Sequence, residues 1–127
     1  MTATEPARPG GSQLTEAISA AMVELYAEVY GHDRTTATTY INDNIVVCVL
    51  ESILTGGEMA QIADGHSSDV IDGRVAFQAD TEDEFTAAIE RLTRRNVTAF
   101  MSANQTSPGI ACELFFLEAA PIASTSP

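Results

Sequence analysis

Thr35-Thr36-Ala37-Thr38-Thr39-Tyr40-Ile41-Asn42-Asp43-Asn44-Ile45-Val46-Val47-Cys48-Val49-Leu50 reads as two strands folded back on each other. The first part is almost entirely Thr and aromatic residues and the second mostly β-branched, compositions that suit a pleated surface. Between them, Asn42-Asp43-Asn44 tolerates the left-handed backbone angles of a tight reversal, which predicts a β-hairpin. The first strand alternates and should be half exposed. The second is apolar on both faces and belongs in the middle of a sheet.

Upstream, Leu14, Ile18, Met22, Leu25, Tyr26 and Val29 recur at helical spacing, with Glu16, Glu24 and Glu28 on other faces. Ser12 offers a cap and Gly31 a left-handed stop, so the helix should span Ser12 to Tyr30. Downstream, Thr55-Gly56-Gly57-Glu58 has the spacing of a capping box and predicts a short helix over Thr55 to Ala63, ended by Gly65. Val70, Ile71, Arg74, Val75 and Phe77 continue the helical period. Thr81-Glu82-Asp83-Glu84 then repeats the capping-box pattern before Phe85, Ala88, Ile89 and Leu92. The pattern fits either one long helix kinked near Asp80 or two consecutive helices. Val97 to Ser102 and Ile110 to Leu117 are apolar and β-rich around the turn formers Asn104 to Gly109, a second hairpin.

The expected fold is therefore α+β: an antiparallel four-stranded sheet from two β-hairpins with helices packed on one face, in the order α-ββ-αα-ββ. Residues 1–11 read as a disordered N-terminal arm, 12–118 as one domain and 119–127 as a flexible C-terminal tail. At 127 residues the chain can bury about two thirds of its unfolded surface, enough for a core without staples. Cys48 and Cys112, both within apolar strands, read as reduced core thiols.

Charge narrows the partners. Eighteen acidic residues face six Arg and no Lys, a net charge of -12, which disfavours nucleic acid and anionic lipid surfaces. The longest apolar run, Ile45 to Leu50, is far short of the roughly 20 residues that cross a bilayer. Met1 to Ser12 lacks the basic start and apolar stretch of a secretory signal, so the expected location is the cytoplasm.

One set of residues recurs in a fixed order: Thr39-Tyr40-Ile41-Asn42-Asp43, Val46 to Glu51, Leu54-Thr55 with Glu58, Arg74, Phe77 and Gln78. It continues with Glu84-Phe85, Ile89 to Thr93, Arg95, Val97, Ala99 to Ser102 and Glu113 to Glu118. On these residues the chain resembles the bacterial MpsC-like family, over about residues 14 to 118. Gly56 stands where the family usually has Pro, and Arg94 where it usually has Gly. The resemblance implies a small cytosolic accessory protein associated with a membrane ion or inorganic-carbon transport system, and it supplies no catalytic residues.

Candidate contacts follow from residue chemistry. Tyr40, Asn42, Asp43 and Asn44 form a polar cluster that could bind a cation or a partner's backbone, or simply make the hairpin turn. Arg74, on a helical stripe with Val70 and Phe77, could clamp a carboxylate or phosphate, or pair internally with Glu113 or Glu51. Arg91, Arg94 and Arg95 are half of all cations; they suit a helix C-terminus and could meet an acidic partner. Asp80, Glu82, Asp83 and Glu84 lack the pattern of a Ca²⁺ loop, and His32 and His66 have no ligating neighbours, so no metal is expected. No nucleophile triad, phosphate loop or dinucleotide motif is present, so no catalytic residue and no cofactor is assigned. The leading expectation is a non-enzymatic regulatory interaction module, a homodimer because a small sheet apolar on both faces needs more cover than three helices give. The runner-up is an anion or small-molecule sensor with Arg74 and Arg95 in its pocket. A third reading makes Asp43 or Glu113 a general base.

Overall fold

The computed structural model describes residues 11–31 and 34–119; of the expected arm, residues 1–10 lie outside the described residues, as do the tail beyond Ala119 and His32, while Gly11 is the first residue of a helix. Helix α1 (Gly11–Tyr30) buries Ile18, Met22 and Tyr26, one face at steps of four. Gly31, at φ 64°, ends it with its N–H bonded to Ala27 O at 2.8 Å.

Strands β1 (Thr36–Asn42) and β2 (Ile45–Glu51) pair antiparallel, with Asp43 at φ 60° in the two-residue turn. In α2 (Gly56–Ala63) the capping box forms as its spacing suggests: Thr55 Oγ1 accepts from Glu58 N, and Glu58 Oε1 accepts from Thr55 N.

The residues after Gly65 make one helix, α3 (Ser67–Thr93), which runs through Asp80. The second capping box does not form. Thr81 lies inside the helix and its hydroxyl bonds Phe77 O at 2.8 Å, four residues back, which removes the N-terminal acceptor that the motif needs. Arg94, at φ 61°, caps α3 in the left-handed conformation that Gly adopts most readily.

Strand β3 (Val97–Thr106) outlasts the expected Ser102 by four residues and meets β4 (Gly109–Leu117) through a turn at Ser107-Pro108. Asn104 and Thr106 remain in the ladder, opposite Ala111 and Gly109. The sheet order is β1-β2-β4-β3, all antiparallel, so the two apolar strands are central.

The helices cover one face. Val46, Cys48 and Leu50 of β2 and Ala111, Phe115 and Leu117 of β4 join Ile18, Met22 and Tyr26 of α1 and Phe85, Ala88 and Ile89 of α3 in one core. The alternate residues point the other way. Tyr40, Val47, Leu114 and Met101 are register neighbours across all four strands on that open face. Tyr40 is 59% and Met101 54% exposed there. Cys112 also lies on the open face, half-buried, whereas Cys48 is in the core. The two thiols thus project to opposite sides of the sheet and cannot pair with each other within the chain. Among the described residues no helix is long and apolar enough to cross a membrane.

Candidate functional site

The inner face of the sheet carries a polar row through an apolar core. Thr39, Cys48, Glu113 and Ser102 are successive register partners across β1, β2, β4 and β3. At one end Thr39 Oγ1 lies 2.7 Å from Ser19 Oγ of α1. In the middle, Glu113 has no exposed surface. Its Oε2 accepts from Tyr26 Oη of α1 at 2.5 Å and from Gln78 Nε2 of α3 at 3.0 Å. Gln78 Oε1 in turn accepts from Asn104 Nδ2 at 3.4 Å.

Burial drives the titration of this group. It lifts the Glu113 carboxyl to about 7, against the opposing pull of the Tyr26 and Ser102 hydroxyls and the Arg74 charge. Burial, then the neighbouring Glu113 charge, push the Tyr26 phenol well up, so it stays a donor. The Cys48 thiol is likewise pushed up to about 12 by burial.

Arg74 lies beside this row, 1% exposed. The sequence offered Glu113 or Glu51 as its partner; the partner is Glu58. Arg74 Nε donates to Glu58 Oε2 at 2.8 Å and Nη2 to Glu58 Oε1 at 2.7 Å, while Nη2 also reaches Ile53 O at 2.5 Å. The carboxylate that closes the capping box of α2 thus also clasps α3, a second role that spacing within α2 does not reveal. Burial works against the charge on Glu58, but hydrogen bonds from Arg74 and Thr55 outweigh it and hold the carboxyl below its ordinary range. The guanidinium also stacks 4.1 Å above the ring of Tyr30, a cation–π contact.

The other sequence candidates do not join this cluster. Arg95 spans the hairpin ends, donating to Asp43 O at 3.1 Å and to Glu118 O at 3.0 and 3.2 Å. Asp43 and Ile53 flank opposite ends of β2, about 20 Å of strand apart, so Arg74 and Arg95 share no pocket. The Arg95 fork is occupied by backbone oxygens, whereas Arg74 is held through Nε and Nη2 and its Nη1 makes no hydrogen bond. Arg91 lines a groove between α1 and α3 with Glu24, Glu28 and Glu84, and Arg94 is exposed. Asn42 and Asp43 are exposed at the turn, and Tyr40 lies on the open face. Asp43 and Glu113 stand far apart in environment, one exposed and one buried, and form no carboxylate pair.

Tyr26, Gln78, Ser102 and Asn104 were not singled out from the sequence as site residues. A signal existed: Gln78 follows Arg74 by four on the stripe that carries Val70 and Phe85, and Glu113 occupies a core-facing position of an apolar strand. Among the described residues, Tyr30 Oη, Arg74 Nη1 and Asn104 Oδ1 are buried without a hydrogen bond, and all three belong to this cluster or to the ring stacked on Arg74.

The family model described as Na+-translocating membrane potential-generating system (MpsC) matches residues 11–119. No curated protein and no solved structure matches the chain. The match spans every helix and strand described above, and the chain belongs to the MpsC family.

Proposed function

We propose that this chain is a non-catalytic, cytoplasmic accessory module of the sodium-translocating, membrane-potential-generating system for which its family is named, and that it works as a homodimer joined through the open face of its sheet. The observation that carries the reading is that face. Helices α1 and α3 pack on the opposite side, yet Val47, Val49, Cys112 and Leu114 at its centre are as apolar as a covered surface.

Size and charge favour a second copy as the occupant. Four strands about 4.8 Å apart and seven residues of about 3.4 Å each give roughly 450 Å² in projection. A patch of that size marks an interaction surface, and with side-chain relief it approaches the roughly 800 Å² per partner of a standard interface. The chain carries a net charge of -12, so most surfaces of two copies repel. The open face carries one acid, Glu51 at a corner, and its apposition leaves both acidic helical layers turned outward to water.

Two differently tagged copies expressed together in the native host test the reading. Capture on one tag is expected to bring down the other tag and a membrane transport subunit. Absence of the second tag would overturn the homodimer, and absence of a membrane subunit would overturn the association. Met101→Glu, which places a charge on the open face, should release the second tag while leaving the chain folded.

A further inference from the structure

We propose that the groove between α1 and α3 docks an amphipathic helix of another protein, one that carries Lys or Arg on both flanks of its apolar face. The two helices run antiparallel, as their ring contacts show. Tyr30, at the end of α1, meets Phe77 edge-on at 5.6 Å, and Tyr26, one turn earlier, stacks on Phe85 at 5.9 Å, two turns further along α3. The floor of the groove is Ala21 and Leu25 of α1 with Ala87 and Ala88 of α3. Alanines dominate it, so the helices leave a trough into which the side-chain ridge of a third helix can settle. Phe77, Glu84 and Arg91 follow one another at seven-residue steps and so share a face of α3. The trough therefore leads to the Phe77 ring, 49% exposed, an aromatic anchor of the kind that fills a partner's pocket. From Phe77 to Arg91 the face is about 21 Å long, four turns, enough for a docked helix with anchors at i, i+4 and i+7.

Charge selects the occupant. Glu24 and Glu28 stand on the α1 wall, Glu84 on the α3 wall, and Arg91 near one end. All four are exposed, and among the described residues none of them makes an ion pair, in contrast to Arg74. Three unpaired carboxylates around an apolar floor attract a cationic helix and repel nucleic acid and anionic lipid. They repel a second copy as well, because this chain carries a net charge of -12 and its own α1 exposes Glu16, Glu24 and Glu28. The groove lies on the side of the sheet opposite the open face, so it stays accessible whether or not two copies join there.

Fluorescence anisotropy of a labelled helical peptide of about 18 residues, with Leu and Ala along one face and Lys on both flanks, tests the groove. About 150 mM salt screens the long-range pull of the acidic chain. The controls are a scrambled peptide of the same composition and one with Glu in place of every Lys. The full chain should bind the Lys peptide at least about tenfold more tightly than either control. Glu24→Lys combined with Glu28→Lys should weaken binding at least about tenfold. Asp72→Lys combined with Glu82→Lys makes the same charge change at exposed positions of α3 outside the groove, and should alter binding less than about threefold. Ala87→Tyr fills the floor without changing charge and should also cost about tenfold. All five positions are exposed, so each variant should unfold close to the wild type. No binding of the Lys peptide at about 100 μM would overturn the proposal. So would equal binding of the scrambled peptide, equal losses in the two charge-reversed pairs, or binding untouched by Ala87→Tyr. None of the substituted residues lies on the open face, so the docking groove and the homodimer fail separately.

Discussion

Replacing Glu113 by Gln should stabilise the chain above neutral pH and change little in mild acid. The carboxyl has no exposed surface, and burial moves it from its ordinary 4.5 to about 7. The folded protein therefore keeps this proton through a pH range in which the unfolded chain has already released it. Stability falls as pH rises wherever the folded state binds more protons, so the loss begins near 4.5 and is complete above about 7. At about 1.36 kcal/mol per pH unit of displacement, the loss is about 3 kcal/mol. An amide in the same place has no charge to bury. Its oxygen can still accept from Tyr26 and Gln78, and its N–H2 can donate to the Ser102 hydroxyl oxygen, now a partner of the carboxyl. Urea unfolding of both proteins at about pH 5 and about pH 8 gives the comparison. The variant should gain about 2–3 kcal/mol on the wild type between those two conditions. Taking the difference between the proteins cancels the opposite trend of carboxylates such as Glu58, whose stabilising pair with Arg74 is lost in acid. A variant whose stability runs parallel to the wild type across this range would refute the buried-carboxyl argument.

Arg74→Ala should cost about 3–5 kcal/mol in urea unfolding, because it leaves Glu58 without its cation and strips the stacking partner from Tyr30. Glu58→Ala combined with Arg74→Ala should cost less than the sum of the single changes, and strict additivity would show that the pair is not coupled. Arg94→Gly should raise stability by up to about 1 kcal/mol, since the residue sits at φ 61°, where a Cβ is strained; an unchanged or lowered midpoint would count against the cap geometry. Gly109→Ala should cost about 1–3 kcal/mol, because its new Cβ would lie 2.7 Å from Leu54 Cγ. A neutral result would mean that the Leu54 loop yields freely.

Local chemistry was legible in the sequence where one residue type answers one backbone need. The Asn42-Asp43-Asn44 reversal, the Thr55–Glu58 capping box and the Gly31 stop all acted as their side chains or missing side chains require. The alternation of β1 and the two-sided apolar character of β2 placed them at the edge and centre of the sheet. The second Thr-x-x-Glu failed because a Thr inside a continuing helix satisfies its hydroxyl on the preceding turn, and local pattern cannot tell the two uses apart. Strand β3 was cut short because Asn104 reads locally as a turn former, although Gln78, which bonds it, is 26 residues away. The same distance problem hid the Arg74–Glu58 pair: both residues were noted, but each had a plausible local duty. The polar cluster is a long-range product of topology. Tyr26 and Glu113 are 87 residues apart, and no periodicity within either segment announces the other.

The central claim is that the uncovered sheet face joins two copies of the chain. Sedimentation equilibrium of the purified protein at about tens of micromolar tests it most directly. The expected result is a mass of twice the 13.5 kDa chain, and the single-chain mass for a folded Met101→Glu variant at the same concentration. A single-chain mass for the wild type throughout that range, or a dimer untouched by Met101→Glu, would contradict it.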